Sequence, residues 1–165
     1  MKQQSFQFQY QEYRHLDELP ATGKELVTEA IEAAHRAYAP YSSYQVGAAV
    51  RMEDGQIISG NNQENHAYPS GMCAERVALF YAGARFPGLT VTSMAIVAFS
   101  EGSMQEEPVS PCGGCRQVML EKELLGSAPM EIILVGSARI RVIKGAKDLL
   151  PLPFSIGGPQ AGPIQ

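Results

Sequence analysis

Hydrophobic residues recur at helical spacing in three stretches of the chain. In residues 22–39 the spacing predicts a first helix, with Thr22 as its N-cap and Pro40 as its stop. The apolar positions of this helix are Leu26, Val27, Ala30, Ile31, Ala34 and Tyr38. Good helix formers predict a second helix over residues 73–86, and a third is predicted from Cys112 to about Leu125.

Short apolar runs predict the strands. The first two such runs are joined across Glu53-Asp54-Gly55, where Asp-Gly supplies the positive φ values of a tight hairpin turn. The third run is β-branched and apolar, which is typical of a buried strand. The predicted strands cover residues 45–52, 56–60, 91–99, 131–136 and 140–144.

The order α-β-β-α-β-α-β-β indicates an α/β fold whose sheet is covered by helices, in a two-layer or three-layer arrangement. Two segments lie outside this pattern. Residues 5–11 alternate polar residues with three aromatic ones, which suggests a short strand or an aromatic arm within a Gln-rich extension, residues 1–19. The tail, residues 156–165, is rich in Gly and Pro, and we expect it to be loose.

Composition narrows the class of protein. A chain of 165 residues without a long polar linker fits a single domain over residues 1–165, and 45% hydrophobic with 18% charged residues is typical of a globular protein. The net charge of −4 does not indicate the positively charged surface that binds nucleic acid or an anionic membrane. No signal sequence is evident, and no apolar run approaches the roughly 20 residues that span a bilayer. We therefore expect a cytoplasmic protein.

The three cysteines carry the chemistry. In a chain without an export signal they should stay reduced, which favours metal binding or catalysis over a disulfide. Cys73 and the pair Cys112 and Cys115 stand where loops enter predicted helices, and helix N-termini favour thiolates. Three such ligands leave the fourth tetrahedral position of a zinc ion to water. Glu75 can then accept a proton from that water, and the motifs match the zinc deaminase signature.

Four segments together resemble the small homotetrameric cytidine deaminases over roughly residues 20–155. They are AYAPYSSYQVGAAV, GNNQENHAYPSGMCAERVAL, PCGGCRQVM and DLLPLPF, in the order and spacing of that family. The resemblance implies hydrolysis of cytidine and 2′-deoxycytidine to the uridine forms, with release of ammonia, in pyrimidine salvage. It also implies a mixed five-stranded sheet sandwiched by helices, one Zn²⁺ per subunit, and a homotetramer with shared active sites.

The resemblance assigns roles residue by residue. Cys73, Cys112 and Cys115 match the zinc ligands, and Glu75 matches the proton shuttle. Asn62 and Glu64 match the pair that grips a ribose hydroxyl, and their spacing on an extended segment places both side chains on one face. Arg76 matches an arginine that hydrogen-bonds ligand thiolates, which is needed because three thiolates on Zn²⁺ give a net charge of −1.

Two aromatic residues and one histidine complete the comparison with the family. Phe154 matches an aromatic contributed near the pyrimidine by an adjacent subunit. Tyr44 stands where many members have Phe, so a stacking surface is kept and a hydroxyl is added. Both aromatics have a plainer interpretation as core residues. His66 replaces a small residue frequent in the family, and we assign it no role.

Other interpretations of the motifs stay open. The zinc could be purely structural, with His66 as a fourth ligand, in a non-enzymatic binding module. Asn62 and Glu64 could be turn residues. A nucleic-acid-editing deaminase would want a basic groove, and such relatives typically have His at the position of Cys73 and lack the Asn-x-Glu pair. A blasticidin S-type deaminase shares the zinc motifs, so only substrate assays separate it from a cytidine deaminase.

Overall fold

The computed structural model describes residues 1–154, which contain seven strands and three α-helices. The predicted loose tail, residues 156–165, lies outside the described residues. Within residues 1–154 no helix is long and apolar enough to cross a membrane. The strands are β1 (Gln11–Tyr13), β2 (Tyr44–Met52), β3 (Ile57–Asn61), β4 (Val91–Ser100), β5 (Ser103–Met104), β6 (Glu131–Val135) and β7 (Ile140–Ile143). The helices are α1 (Ala21–Ala34), α2 (Ala74–Arg85) and α3 (Gly113–Leu124).

The strands form one mixed sheet in the order β1-β7-β6-β4-β2-β3, with β5 paired to β4. Strands β4 and β6 are parallel, and all other pairs are antiparallel. The parallel pair needs a crossover, and α3 supplies it. All five predicted strands are present and adjacent to one another. The sheet is nevertheless larger than the predicted five strands, because β1 and β5 add a short strand each.

The sheet is buried on both faces, so the central strands are apolar at consecutive positions. In β4, Met94 and Ile96 belong to the core under α2 and α3, whereas Ala95 and Val97 belong to the core under α1. The three-layer α-β-α arrangement expected from the sequence is therefore confirmed.

Two glycines let helices lie directly on the sheet. A Cβ at Gly47 in β2 would overlap the backbone carbonyl of Ala30 in α1. A Cβ at Gly60 in β3 would lie 2.6 Å from the backbone nitrogen of Ala78 and 3.0 Å from the carbonyl oxygen of Ala74. Gly60 thus fixes the first turn of α2 against β3, and this turn carries Glu75.

Helix α1 differs from its prediction at both ends. It begins at Ala21, before the expected Thr22 cap, and it ends at Ala34 instead of reaching residue 39. Tyr38 leaves the helical path because its backbone pairs with the segment that follows β3. Its N–H donates to the Asn62 carbonyl at 3.1 Å, and its carbonyl accepts from the Glu64 N–H at 2.9 Å. These long-range hydrogen bonds replace the last helical turn.

The N-terminal strand also lies elsewhere than predicted. Residues 1–10 have no regular secondary structure, and the aromatic residues at positions 6, 8 and 10 are exposed, so of the two alternatives for residues 5–11 the short strand is wrong and the aromatic arm remains. The strand instead spans Gln11–Tyr13, where β7 offers backbone partners. Glu12 of β1 forms ion pairs with Arg139 and Arg141, which hold the same edge of the sheet.

Candidate active site and metal centre

The three cysteines meet at the N-termini of two helices. Cys73 is the N-cap of α2, Cys112 is the N-cap of α3, and Cys115 lies in the first turn of α3. The Sγ atoms of Cys73 and Cys112 are 3.9 Å apart, those of Cys112 and Cys115 are 3.4 Å apart, and all three lie within 4.8 Å of one another. Tetrahedral zinc, with Zn–S bonds of about 2.3 Å, separates its sulfur ligands by about 3.8 Å. The cysteine cluster therefore fits a zinc ion, as predicted.

A fourth protein ligand is absent from the cluster within residues 1–154. His66, the candidate for a structural site, packs its ring against Tyr41 at a centroid distance of 4.9 Å. Cys112 is exposed, whereas Cys115 is fully buried. One side of the cluster therefore faces solvent, which is the arrangement of a catalytic zinc site.

Charge is unevenly distributed over the thiols. Hydrogen bonding from the Cys115 thiol, and further from Arg76 and Cys112, lowers the pKa of Cys73 to about 5. The Arg76 Nη2 atom lies 3.6 Å from the Cys73 Sγ atom. The same hydrogen bond with Cys73, together with burial, raises the pKa of Cys115. Zinc binds cysteine as the thiolate, so a zinc ion held by these three sulfurs would displace the thiol protons that the cluster carries.

Glu75 is one of the few buried charged residues among those described, with 5% of its surface exposed. Burial raises the pKa of its carboxyl group, and the charge of the Cys73 thiolate raises it further. A carboxyl with a raised pKa in a cleft beside metal ligands suits proton transfer near neutral pH.

Cys73, Cys112 and Glu75 border a cavity of about 410 Å³, within the usual range for small-molecule sites. One side, which we call the metal wall, consists of Cys73, Glu75, Arg76 and Cys112. Four polar lining residues, which we call the polar wall, are Asn62, Gln63, Glu64 and Asn65, and the apolar lining residues, which we call the floor, are Val46, Met72, Ile96 and Val109. Tyr68 and Ser110 also line the cavity. The floor, Tyr68 and Ser110 were not predicted from the sequence, because only long-range packing brings these residues together.

Asn62 and Glu64 both line the cavity, and both are already held by the chain. The Asn62 amide accepts a hydrogen bond from the Val46 N–H at 2.7 Å and donates one to the Tyr44 carbonyl at 2.9 Å. A side-chain amide has two N–H groups, so one donor is left.

The Glu64 carboxylate accepts three hydrogen bonds from the turn before β2. The donors are the Tyr41 N–H at 2.9 Å, the Ser42 N–H at 3.3 Å and the Ser42 hydroxyl at 2.5 Å. The Ser42 hydroxyl, followed by the Tyr41 N–H, lowers the pKa of Glu64, so the group is an ionised acceptor. A carboxylate has about four acceptor positions, so about one remains.

The structure does not bring the other two predicted substrate residues into this cavity. Tyr44 is half-buried at the start of β2, and burial raises the pKa of its phenol. Phe154 is 73% exposed. Neither residue lines the cavity. Tyr68, which was not predicted, provides an aromatic ring there instead.

An α-β-α sandwich with three cysteines at two helix N-termini beside a buried glutamate is the arrangement of an enzyme with a zinc site. Residues 21–125 match the family model described as the cytidine and deoxycytidylate deaminase zinc-binding region. The chain belongs to this family, and the resemblance drawn from its motifs is confirmed. The matched segment contains Cys73, Glu75, Cys112 and Cys115, whereas Phe154 lies beyond it.

Individual relatives agree with the family assignment. The chain is 50% identical over 99 residues to a cytidine deaminase of Halalkalibacterium halodurans, covering 58% of this chain and 68% of the relative. It is 37% identical over 130 residues to a cytidine deaminase of Mycobacterium tuberculosis, covering 77% of this chain and 85% of the relative.

Solved structures show the same fold. The cytidine deaminase of Burkholderia pseudomallei aligns with a TM-score of 0.68 and 41% identity, covering 79% of this chain and 97% of that one. The cytidine deaminase of Mycobacterium tuberculosis aligns with a TM-score of 0.63 and 34% identity, covering 80% and 96%. The chain is therefore an enzyme of the cytidine deaminase family.

Proposed function

We propose that the chain is a zinc-dependent cytidine deaminase that hydrolyses cytidine and 2′-deoxycytidine to uridine and 2′-deoxyuridine, releasing ammonia. The observation that carries the proposal is the meeting of three cysteine thiols at two helix N-termini beside the buried Glu75. Two relatives named cytidine deaminases support the choice of substrate. A place in pyrimidine salvage and a cytoplasmic location are part of the same proposal.

The three cysteines, Glu75 and Arg76 have different roles in the proposed reaction. A zinc ion held by Cys73, Cys112 and Cys115 would supply a Lewis acid that activates water. Glu75 accepts a proton from the attacking water and passes it to N3 of the pyrimidine. It then takes the second proton from the hydroxyl newly bonded to C4 and delivers it to the amine, so that the C4–N bond breaks and ammonia leaves. Arg76 contacts the Cys73 sulfur and draws negative charge from it. The charge of three thiolate ligands would otherwise weaken zinc as a Lewis acid.

The polar wall offers a place for the sugar. Asn62 has one N–H donor left and Glu64 has about one acceptor position left, after their bonds to the backbone are counted. A sugar hydroxyl can accept from the first and donate to the second. We assign this pair to the 3′-hydroxyl, which cytidine and 2′-deoxycytidine share.

The proposal also covers the assembly of subunits into an oligomer. We infer a homotetramer with one zinc per subunit, in which Phe154 of one subunit completes the cavity of another. The exposed ring of Phe154, outside its own cavity, supports a shared site. Activity per subunit should then collapse on dissociation while the fold survives, whereas a fully active monomer at high dilution would contradict the shared site.

The proposed reaction is tested by the loss of cytidine absorbance in the ultraviolet. Cytidine and 2′-deoxycytidine should be consumed, and adenosine and cytosine should not compete with them. Removal of zinc by a chelator should abolish turnover, and zinc should restore it. Faster turnover of blasticidin S than of cytidine would overturn the proposed substrate and leave the zinc chemistry intact.

A further inference from the structure

Gln117 holds the backbone of Phe154 from both sides. Its side-chain Nε2 donates to the Phe154 carbonyl at 3.0 Å, and its Oε1 accepts from the Phe154 N–H at 3.1 Å. The two ends of one amide are thus engaged by the two polar backbone groups of one residue. Gln117 is half-buried in α3, two residues after Cys115.

These two hydrogen bonds, which we call the Gln117 clamp, fix the backbone of Phe154 and leave its ring free. Phe154 is 73% exposed, and it does not line the cavity of its own chain. Residues 151–154 belong to no helix or strand, so local structure does not fix the direction of the ring. An exposed aromatic with a fixed backbone is preorganised for contact, because less conformational freedom is lost when it binds.

The neighbouring residue of α3 fixes the start of the same segment. Arg116 Nη1 donates to the Leu149 carbonyl at 3.1 Å, and its Nε donates to the Pro111 carbonyl at 2.8 Å. Pro111 immediately precedes the ligand Cys112. The helix that carries two of the three thiols therefore also sets the course of residues 149–154.

We propose that Gln117 is a positioning residue for Phe154, directing its ring into the nucleoside cavity of a second copy of this chain. This inference rests on the proposed function, and it adds a residue that acts through Phe154 without touching the substrate. Glutamine suits the task because its amide donates and accepts at once. Glutamate can accept from the Phe154 N–H but cannot donate to the carbonyl, and methionine does neither.

A double-mutant cycle tests the inference in the full-length zinc enzyme. Gln117→Met should lower kcat/KM for cytidine about tenfold, as expected for the loss of two neutral hydrogen bonds. Phe154→Ala should lower it at least as much, and the double variant should lose little more than Phe154→Ala alone. Gln117→Glu should fall between the parent and Gln117→Met. Fully multiplicative losses, or a Gln117→Met rate within twofold of the parent, would overturn the inference.

A matched control separates positioning from general damage to α3. Glu121→Met places the same side chain one turn later on the helix, at an exposed position, and should leave kcat/KM and zinc content unchanged. Zinc content should also stay at the parental value in Gln117→Met. A loss of zinc in that variant, equal to its loss of activity, would assign Gln117 to the metal centre and reject the inference.

Amide hydrogen exchange gives a readout that does not depend on catalysis. The Phe154 N–H should be protected in the parent, and Gln117→Met, but not Glu121→Met, should remove the protection. Unprotected exchange in the parent would show that the clamp does not exist in solution. If the parent consumes no cytidine, the proposed function fails, and exchange at Phe154 still decides the clamp.

Discussion

The two polar sides of the cavity are built in opposite ways. The thiols at the metal wall contact one another and Arg76, and neither N-cap cysteine forms a side-chain hydrogen bond to its helix. Along the polar wall, the Asn62 amide and the Glu64 carboxylate bond mainly to backbone groups of residues 41–46. The metal wall is therefore completed by a ligand from outside, whereas most of the polar wall is completed by the chain itself.

This difference predicts how each side responds to substitution. Changes in the metal wall should act on metal retention and on the chemical step, because we propose that its groups hold zinc and transfer protons. Changes in the polar wall should act on the choice of substrate, because its groups are arranged before any ligand arrives.

The largest effect should come from Glu75→Gln. The amide keeps the shape of the side chain but cannot accept the proton of the attacking water, so kcat should fall by about 10²–10⁴-fold. Zinc content and thermal midpoint should stay close to the parental values. The measurement is the loss of cytidine absorbance, alongside metal analysis of the purified variant.

Glu121→Gln provides the matched control for that variant, because Glu121 is exposed on α3 and outside the cavity. It should turn over cytidine at the parental rate. Turnover by Glu75→Gln within tenfold of the parent would remove the proton-shuttle role from Glu75.

The polar wall is tested next, by substrates that lack parts of the nucleoside. Free cytosine leaves the remaining Asn62 donor and Glu64 acceptor unpaired, so its kcat/KM should be at least about 10²-fold below that of cytidine. The loss should appear in kcat as well as KM, because sugar contacts help to position the reacting carbon. 2′-Deoxycytidine should still react.

Cytidine monophosphate should be a poor substrate, because its charge approaches the ionised Glu64 without a cationic cradle. Glu64→Ala should narrow the preference for cytidine over cytosine. Comparable kcat/KM for cytosine and cytidine in the parent would contradict the assignment of Asn62 and Glu64 to the sugar.

Arg76→Ala should reduce activity and zinc retention together, by about 10–100-fold, because the variant loses the cation beside the Cys73 sulfur. Arg85→Ala is the control on the same helix, since Arg85 is exposed and its guanidinium lies over the Phe86 ring. Metal analysis after dialysis and the cytidine assay give the two readouts. Parental zinc content with a parental rate would exclude the proposed role of Arg76.

The metal wall could be predicted from the sequence because each of its two motifs is local, and the resemblance to a family brought the two motifs together. Cys73 and Cys112 mark helix starts, and Glu75 and Cys115 follow within one turn. Such spacing fixes which side chains face the same way before the fold is known. The inner strands were predictable for a similar reason, since burial on both faces makes their sequences largely apolar, and the edge strand β3 was predictable from the Asp-Gly turn that precedes it.

The features that were missed depend on partners distant in sequence. Helix α1 ends early because the Tyr38 backbone pairs with residues 62–64. The helical spacing of apolar residues does not predict that pairing. Strand β1 forms at residue 11 because β7 lies beside it there, although the aromatic alternation is stronger upstream. The clamp of Gln117 on Phe154 joins residues 37 apart, so neither local propensity nor spacing indicates it.

The smallest expected effect on activity concerns a buried residue of α3 that supports the metal wall without belonging to it. Glu123, at the far end of α3, is 7% exposed, and its carboxylate accepts hydrogen bonds from three backbone N–H groups. The donors are Met130 at 2.9 Å, Ala146 at 2.6 Å and Lys147 at 3.4 Å. This buried group ties the helix that carries Cys112 and Cys115 to the segment leading towards Phe154.

Glu123→Gln should destabilise the protein without altering its chemistry. An amide turns its NH₂ group towards a backbone N–H, so the free energy of unfolding should fall by about 2 kcal/mol. For a chain of this size the thermal midpoint should fall by about 4–8 °C. At 25 °C the variant should remain folded, and its zinc content and kcat for cytidine should stay within twofold of the parent. An unchanged midpoint with lost turnover would instead make Glu123 part of the active site. The distinction between residues that act in the reaction and residues that only support α3 would then fail.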